Sequence, residues 1–315
     1  MNILITGING FVGSNFTEKW KGHHTLYGLD INQAPKNGVI AIYNWEQQTE
    51  IPETDAIVHL AGKAHDTKNE SEATEYFAVN TGLTQKIFDY FLQSSARKFI
   101  FFSSVKAAAE SVAGECLTEN AAPAPKGPYG ESKIKAEEYL LSKLSLAEKL
   151  QKKVYIVRPC MIHGPGNKGN LNLLYQVVSK GIPWPLGAFD NRRSFCSIDN
   201  IAFAVEQLIV RDDIPSGIYQ VGDDEALSTN ELIALINDSL GKKTLIWKLP
   251  KAFMNAAAGI CGALHLPLDK ERLRKLTENY VVSNRKIKSA LGIEKMPVSA
   301  REGIRKTLES FSKND

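Results

Sequence analysis

Short apolar runs alternate with longer amphipathic stretches along the first half of the chain. The short runs are rich in β-branched and aromatic residues, which is typical of buried strands. They predict six strands, at Asn2–Thr6, Thr25–Leu29, Val39–Tyr43, Ala56–Leu60, Phe99–Ser103 and Val154–Val157. Helical spacing of apolar residues is found between them, at Val12–Trp20, Ser71–Leu92 and Tyr129–Lys149. This alternation predicts an α/β fold with a Rossmann-type, doubly wound parallel sheet.

The regular alternation ends near residue 160. Proline and glycine become frequent after Arg158-Pro159, for example in Gly164-Pro165-Gly166, which is typical of irregular connections. We therefore expect a first, Rossmann domain over residues 1–160 and a smaller C-terminal substrate domain over 161–315. A strand–helix pattern suggests that about 193–222 return to the first domain. Three further helical patterns lie in the tail, at Asn230–Leu240, Asp269–Thr277 and Ala300–Phe311.

The bulk composition is that of an ordinary globular protein. The 315 residues are 43% hydrophobic and 23% charged, and the net charge is +3, so electrostatics do not indicate a nucleic-acid partner. The first residues run directly into a strand, without the basic and apolar regions of a signal peptide, and we expect a cytoplasmic protein. The cysteines lie far apart and form no CxxC pair, so we expect free thiols and no metal site. They are Cys116, Cys160, Cys196 and Cys261.

One long apolar stretch, Ala252–Leu268, lies in the second half of the chain. It contains Asn255 and His265 and is shorter than the roughly 20 apolar residues that a spanning helix needs. We expect a buried or partner-facing helix and no membrane span. Contact with a membrane surface remains a minor alternative.

A glycine-rich turn joins the first strand to the first helix. The segment Thr6–Gly13 has the pattern TGxxGxxG. Glycines at Gly7, Gly10 and Gly13 allow a tight turn, and they let the backbone approach a pyrophosphate at the positive end of the helix. The spacing is one residue wider than the usual dinucleotide fingerprint. Its position between strand and helix nevertheless favours dinucleotide binding over a plain strand–turn–helix junction.

Asp30 indicates which dinucleotide binds. It ends the second predicted strand, 20 residues after Gly10. A carboxylate at this place can accept hydrogen bonds from both ribose hydroxyls of NAD, and it repels the 2′-phosphate of NADP. No arginine follows directly, since the next residues are Ile31 and Asn32. We therefore expect NAD as the cofactor.

Two sequence features place acid–base chemistry at the same end of the sheet. Tyr129 and Lys133 are four residues apart on a predicted helix, which puts them on one face. An ammonium beside a phenol favours phenolate and is expected to lower the tyrosine pKa, and a phenolate can remove a hydroxyl proton. Ser103 and Ser104 end a central strand, where such sheets place ligands. The Ser104 hydroxyl can hold the reacting oxygen.

As a set, these motifs resemble the extended short-chain dehydrogenase/reductases of the NAD-dependent epimerase/dehydratase family. The resemblance covers nearly the whole chain. Within the family, the chain is similar to UDP-hexose 4-epimerases and to 4-keto-sugar reductases of surface-polysaccharide pathways. The narrower likeness rests on the stretches 158–166, 185–195 and 282–287.

The resemblance implies a nucleotide-sugar substrate, a UDP-sugar above all, and a set of binding residues. The cofactor would contact Gly7, Gly10, Phe11, Val12, Gly13, Asp30, Ile31, Leu60, Ala61, Gly62, Asn80, Ser103, Tyr129 and Lys133. The substrate would contact Ser104, Tyr129, Arg193 and Arg274. Asn80 would support the sheet near the site, and Arg193 would reach the nucleotide diphosphate or ribose. His65 and His163 are expected to be structural, as single loop histidines usually are.

The resemblance also implies a homodimer. The helical stretches Asn80–Leu92 and Ile134–Leu146 would pack against their copies. Both stretches carry apolar residues beyond those needed to cover the sheet. The proposed outer faces consist of Phe88, Phe91, Leu92, Leu140, Leu141 and Leu144. The competing interpretation is that all six face their own sheet.

The residues after Ser104 discriminate between reactions. Sugar 4,6-dehydratases of this family carry an acid pair there, whereas this chain has Val105 and Lys106, so dehydration is disfavoured. A 4-epimerase that retains NAD and a reductase that consumes NAD(P)H both remain, and Asp30 favours the epimerase. A catalytically idle NAD(H) sensor is a third alternative, disfavoured because Tyr129 and Lys133 are both present.

Overall fold

The computed structural model describes residues 1–63, 72–112, 114–263 and 270–312. The strands are β1 Asn2–Thr6, β2 Thr25–Leu29, β3 Ala41–Tyr43, β4 Ala56–His59, β5 Lys98–Phe102, β6 Lys153–Pro159, β7 Met161–His163, β8 Phe195–Ser197 and β9 Gly217–Val221. The helices are α1 Phe11–Trp20, α2 Ala73–Tyr76, α3 Leu83–Gln93, α4 Val105–Ala108, α5 Gly127–Ser142, α6 Leu144–Lys149, α7 Asn170–Ser179, α8 Ile198–Val210, α9 Thr229–Ser239, α10 Lys251–Ala263, α11 Lys270–Thr277, α12 Arg285–Leu291 and α13 Ala300–Ser312. A 3₁₀ turn spans Gln48–Glu50, and a π-helical turn, Phe77–Gly82, joins α2 to α3.

Seven parallel strands form the main sheet, in the order β3-β2-β1-β4-β5-β6-β9. The order reverses direction between β1 and β4, where Thr6 lies opposite both Leu29 of β2 and His59 of β4. Ligands of open α/β sheets bind at such a reversal, beyond the carboxyl ends of the strands. The Rossmann-type sheet expected from the sequence is therefore confirmed.

Both faces of the sheet are covered by helices, which explains why its strands read as continuous apolar runs. Side chains alternate between the faces, as the period of a strand requires. In β1, Ile3 and Ile5 face one core together with α1, α8 and α12, whereas Leu4 faces a second core together with α3, α5 and α6. In the second core, the ring of Phe99 packs 5.0 Å from that of Phe88.

A third core lies in the C-terminal half, among α7, α9, α10, α11 and α13. Beside it, β7 and β8 form a separate two-stranded parallel sheet. The strand predicted near residue 193 is thus β8, outside the main sheet, whereas α8 packs on the main sheet and β9 completes it. The division into domains at residue 160 stays a prediction.

Several predicted elements differ from the structure in their bounds. The helix predicted over 129–149 is interrupted at Lys143, which joins α5 to α6. The strand predicted over 39–43 begins at Ala41, and Ile40 is 69% exposed. Within the described residues, no helix combines the length and apolar character that crossing a bilayer requires. His65 and the end of the apolar stretch, 264–268, lie outside the described residues.

The outer helical faces proposed for a homodimer are wrong at their central positions. Phe88, Phe91 and Leu140 are fully buried against their own sheet. Leu141 is the clear exception, since it is 41% exposed on α5. These helices use most of their apolar residues to cover the sheet, because a doubly wound fold must cover both faces. The homodimer itself stays a prediction.

Candidate active site

The glycine-rich turn leaves room that any side chain would fill. Gly7 has φ +69°, and a Cβ there would lie 2.8 Å from the backbone nitrogen of Ala61. A Cβ at Gly13 would lie 2.5 Å from the carbonyl oxygen of Gly7. Gly10 is the N-terminal cap of α1, and Phe11 begins the helix without a side-chain cap. Bare backbone at a helix N-terminus is suited to a pyrophosphate, so these residues fit a dinucleotide.

Asp30 lies at the end of β2 and is almost fully buried. Its Oδ2 accepts a hydrogen bond of 2.9 Å from the backbone N–H of Asn9, and its Oδ1 accepts one of 3.0 Å from Asn32. Each oxygen keeps a second lone pair that can accept a ribose hydroxyl. The carboxylate is therefore held in place by the turn itself. Ile31 beside it is 89% exposed.

Lys36 contacts the glycine-rich turn from the segment after β2, and the sequence analysis missed it. Its Nζ donates to the carbonyl of Ile8 at 2.6 Å and to the Ser14 hydroxyl at 2.7 Å, and lies 3.3 Å from the Asn9 side chain. Burial lowers the Lys36 pKa, and the charge of Asp30 opposes that shift. A cation here offsets part of the repulsion between Asp30 and a 2′-phosphate. The sequence feature that could have indicated this contact is a lysine six residues after Asp30.

Asn80 ties the loop after β4 to α5. It is fully buried in the π-helical turn, a distortion often found at functional sites. Its Nδ2 donates to the Ser132 hydroxyl at 3.0 Å, and its Oδ1 accepts from the backbone N–H of Lys63 at 2.8 Å. A Cβ at Gly62 would lie 2.9 Å from Asn80 Oδ1 and 3.1 Å from Lys133 Nζ. The structure thus brings Gly62, Asn80 and Lys133 together.

The loop after β4 is also joined to the glycine-rich turn. The backbone N–H of Ala61 donates to the Thr6 hydroxyl at 3.0 Å. Thr6 in turn is 2.7 Å from Nδ1 of His59, whose burial lowers its pKa to about 3. Residues Leu60 and Ala61 therefore lie beside the turn, as the cofactor prediction requires. His59 is neutral near pH 7 and acts as a structural hydrogen-bonding group.

Ser104 and Tyr129 are hydrogen-bonded to each other. Ser104 follows β5, and its Oγ also accepts a hydrogen bond of 3.2 Å from the backbone N–H of Lys106. Tyr129 lies half-buried in the first turn of α5, with the ring of Tyr76 edge-on at 6.3 Å. The two groups that were predicted from separate motifs thus form one unit at the carboxyl end of the sheet.

The expected effect of Lys133 on Tyr129 is not found. Burial raises the pKa of Tyr129, and the hydrogen bond from Ser104 only partly opposes this. The Lys133 ammonium instead donates to the backbone carbonyl of Phe102 at 2.8 Å and lies 5.0 Å from the Phe101 ring. Burial lowers the pKa of Lys133 to about 8, against the charge of Glu137. Lys133 is nonetheless protonated at neutral pH.

A buried ion pair supports this corner of the site. Arg158 Nε donates to both oxygens of Glu137, at 2.9 and 3.1 Å, and Arg158 Nη2 donates at 2.5 Å. Glu137 is fully buried and Arg158 is 2% exposed. The Ser103 hydroxyl also hydrogen-bonds to Glu137, so its side chain is directed to the ion pair. The sequence analysis missed this pair, although Glu137 follows Lys133 by one helical turn.

Of the two arginines predicted to bind substrate, Arg274 lies on α11 and Arg193, which precedes β8, contacts that helix. Arg193 is partly buried, and its Nη1 hydrogen-bonds to the carbonyl oxygen of Lys275. Burial lowers the pKa of Arg193, against the charge of Glu278. Arg274 is exposed, with Nη1 3.9 Å from Glu278 Oε2. Glu278 therefore lies near both, and Arg193 is not a solvated loop charge.

His163 is structural, as expected. It is fully buried, and its Nδ1 lies 2.9 Å from the Thr307 hydroxyl. Its Nε2 lies 3.4 Å from a carboxylate oxygen of Asp223. These contacts join β7 to α13 and to the chain that follows β9, and they occupy both ring nitrogens.

The glycine-rich cradle, the fixed Asp30 and the Ser104–Tyr129 pair with Lys133 fit a dinucleotide-dependent enzyme on a Rossmann fold. The model of the NAD dependent epimerase/dehydratase family matches residues 3–222. The chain belongs to that family, whose members include nucleotide-sugar epimerases and reductases. It is an NAD-dependent enzyme of that class, as the sequence predicted.

Individual relatives span nearly the whole chain. UDP-glucose 4-epimerase of Vibrio cholerae is 31% identical, over 98% of this chain and 95% of the relative. N-acetyl-alpha-D-glucosaminyl-diphospho-ditrans,octacis-undecaprenol 4-epimerase of Escherichia coli O157:H7 is 27% identical, over 91% and 84%. Among solved structures, UDP-glucose 4-epimerase of Thermus thermophilus in complex with NAD superposes with a TM-score of 0.75 at 23% identity, over 99% of both chains. MoeE5 in complex with UDP-glucuronic acid and NAD gives 0.77 at 18% identity, over 100% of both.

Proposed function

We propose that this enzyme is a cytoplasmic 4-epimerase of a UDP-hexose or UDP-N-acetylhexosamine, acting through a transient 4-keto sugar. The observation that carries the proposal is the hydrogen-bonded pair Ser104–Tyr129, next to a turn suited to NAD. The similarity to the Vibrio cholerae UDP-glucose 4-epimerase over nearly the full length of both chains supports it.

Each residue of the unit has a distinct role in the proposed mechanism. The Tyr129 oxygen removes the proton of the C4 hydroxyl and later returns one to the keto oxygen. The Ser104 hydroxyl holds that sugar oxygen in line with Tyr129. Lys133 carries a positive charge near neutral pH and donates to the carbonyl of Phe102, so that it positions the end of β5, which leads into Ser104. Bound NAD supplies the acceptor and donor for the C4 hydride.

Binding of the two ligands is divided between the two halves of the chain. The turn residues Gly7, Gly10 and Gly13 would hold the pyrophosphate of NAD, and Asp30 would accept its ribose hydroxyls. Arg193 would neutralise part of the substrate diphosphate, because a guanidinium matches phosphate geometry. Arg274 is the second candidate for that contact. Turning of the keto sugar between the two hydride transfers would invert C4 without net oxidation.

A reductase of a UDP-4-keto-6-deoxy sugar is the second candidate. The observation that favours it is Lys36, whose ammonium lies in the turn beside Asp30 and would make a 2′-phosphate more acceptable. The dTDP-4-dehydro-6-deoxyglucose reductase of Escherichia coli is 25% identical to this chain. The idle-sensor alternative is disfavoured, because Ser104 and Tyr129 are joined and Lys133 is charged at neutral pH.

The decisive assay omits reductant. The purified enzyme is incubated with UDP-glucose, UDP-galactose and their N-acetyl forms without added NADH, and C4 inversion is followed. The proposal predicts inversion, with NAD found in the purified protein. Turnover of a 4-keto sugar only when NADH or NADPH is added would instead establish the reductase. A parallel arm uses sugars carried on a lipid diphosphate, since the Escherichia coli O157:H7 relative is named for such a substrate.

A further inference from the structure

Three exposed apolar side chains and four exposed lysines lie within twelve residues of each other in the C-terminal half of the chain. The apolar members are Leu245, Trp247 and Phe253, which are 51 to 60% exposed. The lysines are Lys242, Lys243, Lys248 and Lys251. We call these seven residues the docking patch.

The backbone holds the docking patch firmly in place. The N–H of Trp184 donates to the carbonyl of Leu245 at 2.8 Å, and the N–H of Gly187 donates to the carbonyl of Trp247 at 3.0 Å. Ile246 packs on the third core, so its neighbours Leu245 and Trp247 must face away from that core. The exposure of both side chains is thus fixed by strand-like pairing.

The helix that follows this segment, α10, likewise buries some of its apolar side chains and leaves another exposed. α10 turns Met254 and Ala258 into the third core, where both are buried. Phe253, near the start of the same helix, is 60% exposed. More than half of this aromatic side chain is thus in contact with water. It therefore needs a partner outside the chain, or it remains in contact with water at a cost.

The charged residues in the sequence segment that carries these apolar side chains are all of one sign. Between Asp238 and Asp269 the sequence has four lysines and no acidic residue, although the whole chain contains 35 acidic residues among 315. Apolar and aromatic side chains flanked only by lysines are the composition of surfaces that rest on anionic lipid. A protein partner with the same requirement would have to be acidic and apolar together, whereas an anionic bilayer supplies both.

We propose that the docking patch binds the surface of an anionic lipid bilayer. Trp247 and Phe253 enter the boundary between headgroups and acyl chains, and the lysines contact the headgroup phosphates. The patch adjoins the loop that leads to Arg193, because Lys251 lies 5.6 Å from the ring of Phe189 in that loop. Binding would thus bring the proposed substrate site close to the membrane. The inference does not depend on which sugar is converted.

The test is sedimentation of the full-length enzyme with vesicles. Vesicles of phosphatidylcholine with phosphatidylglycerol are compared with vesicles of phosphatidylcholine alone. We expect binding to the anionic vesicles only, weakened by added salt. Lys243→Ser with Lys248→Ser should lower the partition coefficient roughly 25-fold, since each lysine near an anionic surface contributes about fivefold. Trp247→Ser with Phe253→Ser should lower it at least about tenfold.

Ile40→Ser is the matched control, because Ile40 is an apolar side chain in the first half of the chain that is even more exposed, at 69%. It should bind as the unchanged protein does. Absence of binding to anionic vesicles, or undiminished binding after loss of Trp247 and Phe253, would overturn the proposal. So would conversion of a dimer into a monomer by those two substitutions, since a second copy would then cover the patch. Turnover of a water-soluble sugar nucleotide is measured separately, so failure of the proposed function leaves the vesicle result unaffected.

Discussion

Removal of the Glu137 carboxylate should destabilise the protein strongly. Arg158 is 2% exposed, and its Nε and Nη2 donate to Glu137, while its buried Nη1 has no hydrogen-bond partner among the described residues. In Glu137→Ala the guanidinium would keep its charge and lose its counter-ion. Breaking a buried pair from one side costs about 3–5 kcal/mol. The hydrogen bond from Ser103 would be lost as well.

Urea unfolding followed by circular dichroism measures this loss. Glu138→Ala is the matched control, because Glu138 is the next residue and its salt bridge with Lys135 is exposed on both sides, which limits the expected change to about 0.5 kcal/mol. Replacing both Glu137 and Arg158 by methionine should recover most of the stability, since no charge is then left buried. A Glu137→Ala protein within about 1 kcal/mol of the unchanged one would refute the reasoning.

Three further predictions concern the site and the assembly. Asp30→Ala should weaken NAD binding and reduce discrimination against NADP, measured by titration with both; tighter binding of NADPH than NADH by the unchanged enzyme would contradict the role of Asp30. The Lys133 pKa is lowered to about 8, so the ammonium is lost as pH rises through that value. We therefore expect kcat/KM to fall above about pH 8, and to fall at lower pH in Glu137→Gln, which removes a charge that raises this pKa; identical profiles would argue against the link. Light scattering should show a homodimer that Leu141→Glu weakens, and a monomer at micromolar concentration would exclude it.

The sequence revealed the central strands because the sheet is covered on both faces. Such strands need apolar residues at nearly every position, and β1, β4 and β5 have them. The edge strand β9 was missed, since its residues Gly217–Val221 include a glycine and a glutamine. The helix α7 was missed as well, because it lies within the segment rich in proline and glycine.

For the candidate site, too, the sequence indicated some residues and missed others. Tyr129 begins a predicted helix, and Ser104 comes at the end of a predicted strand. The carboxyl ends of parallel strands meet at one edge of the sheet, so both residues could be assigned to the site from the sequence. The Lys36 contacts and the Glu137–Arg158 pair depend on side chains that meet only in the folded chain, 21 residues apart for the ion pair. The direction of the Tyr129 pKa was also beyond sequence reasoning, since burial decides it.

Replacement of Tyr129 by phenylalanine tests the central claim most directly. C4 inversion of the UDP-sugar that the enzyme converts is measured without added NADH. Tyr139→Phe serves as the control, because Tyr139 lies on the same helix and its hydroxyl contacts Asp89 at the surface. We predict that Tyr129→Phe keeps the fold and both ligands but lowers kcat by about 10²–10⁴-fold, with near-normal turnover in the control. Turnover by Tyr129→Phe close to that of the unchanged enzyme would contradict the account.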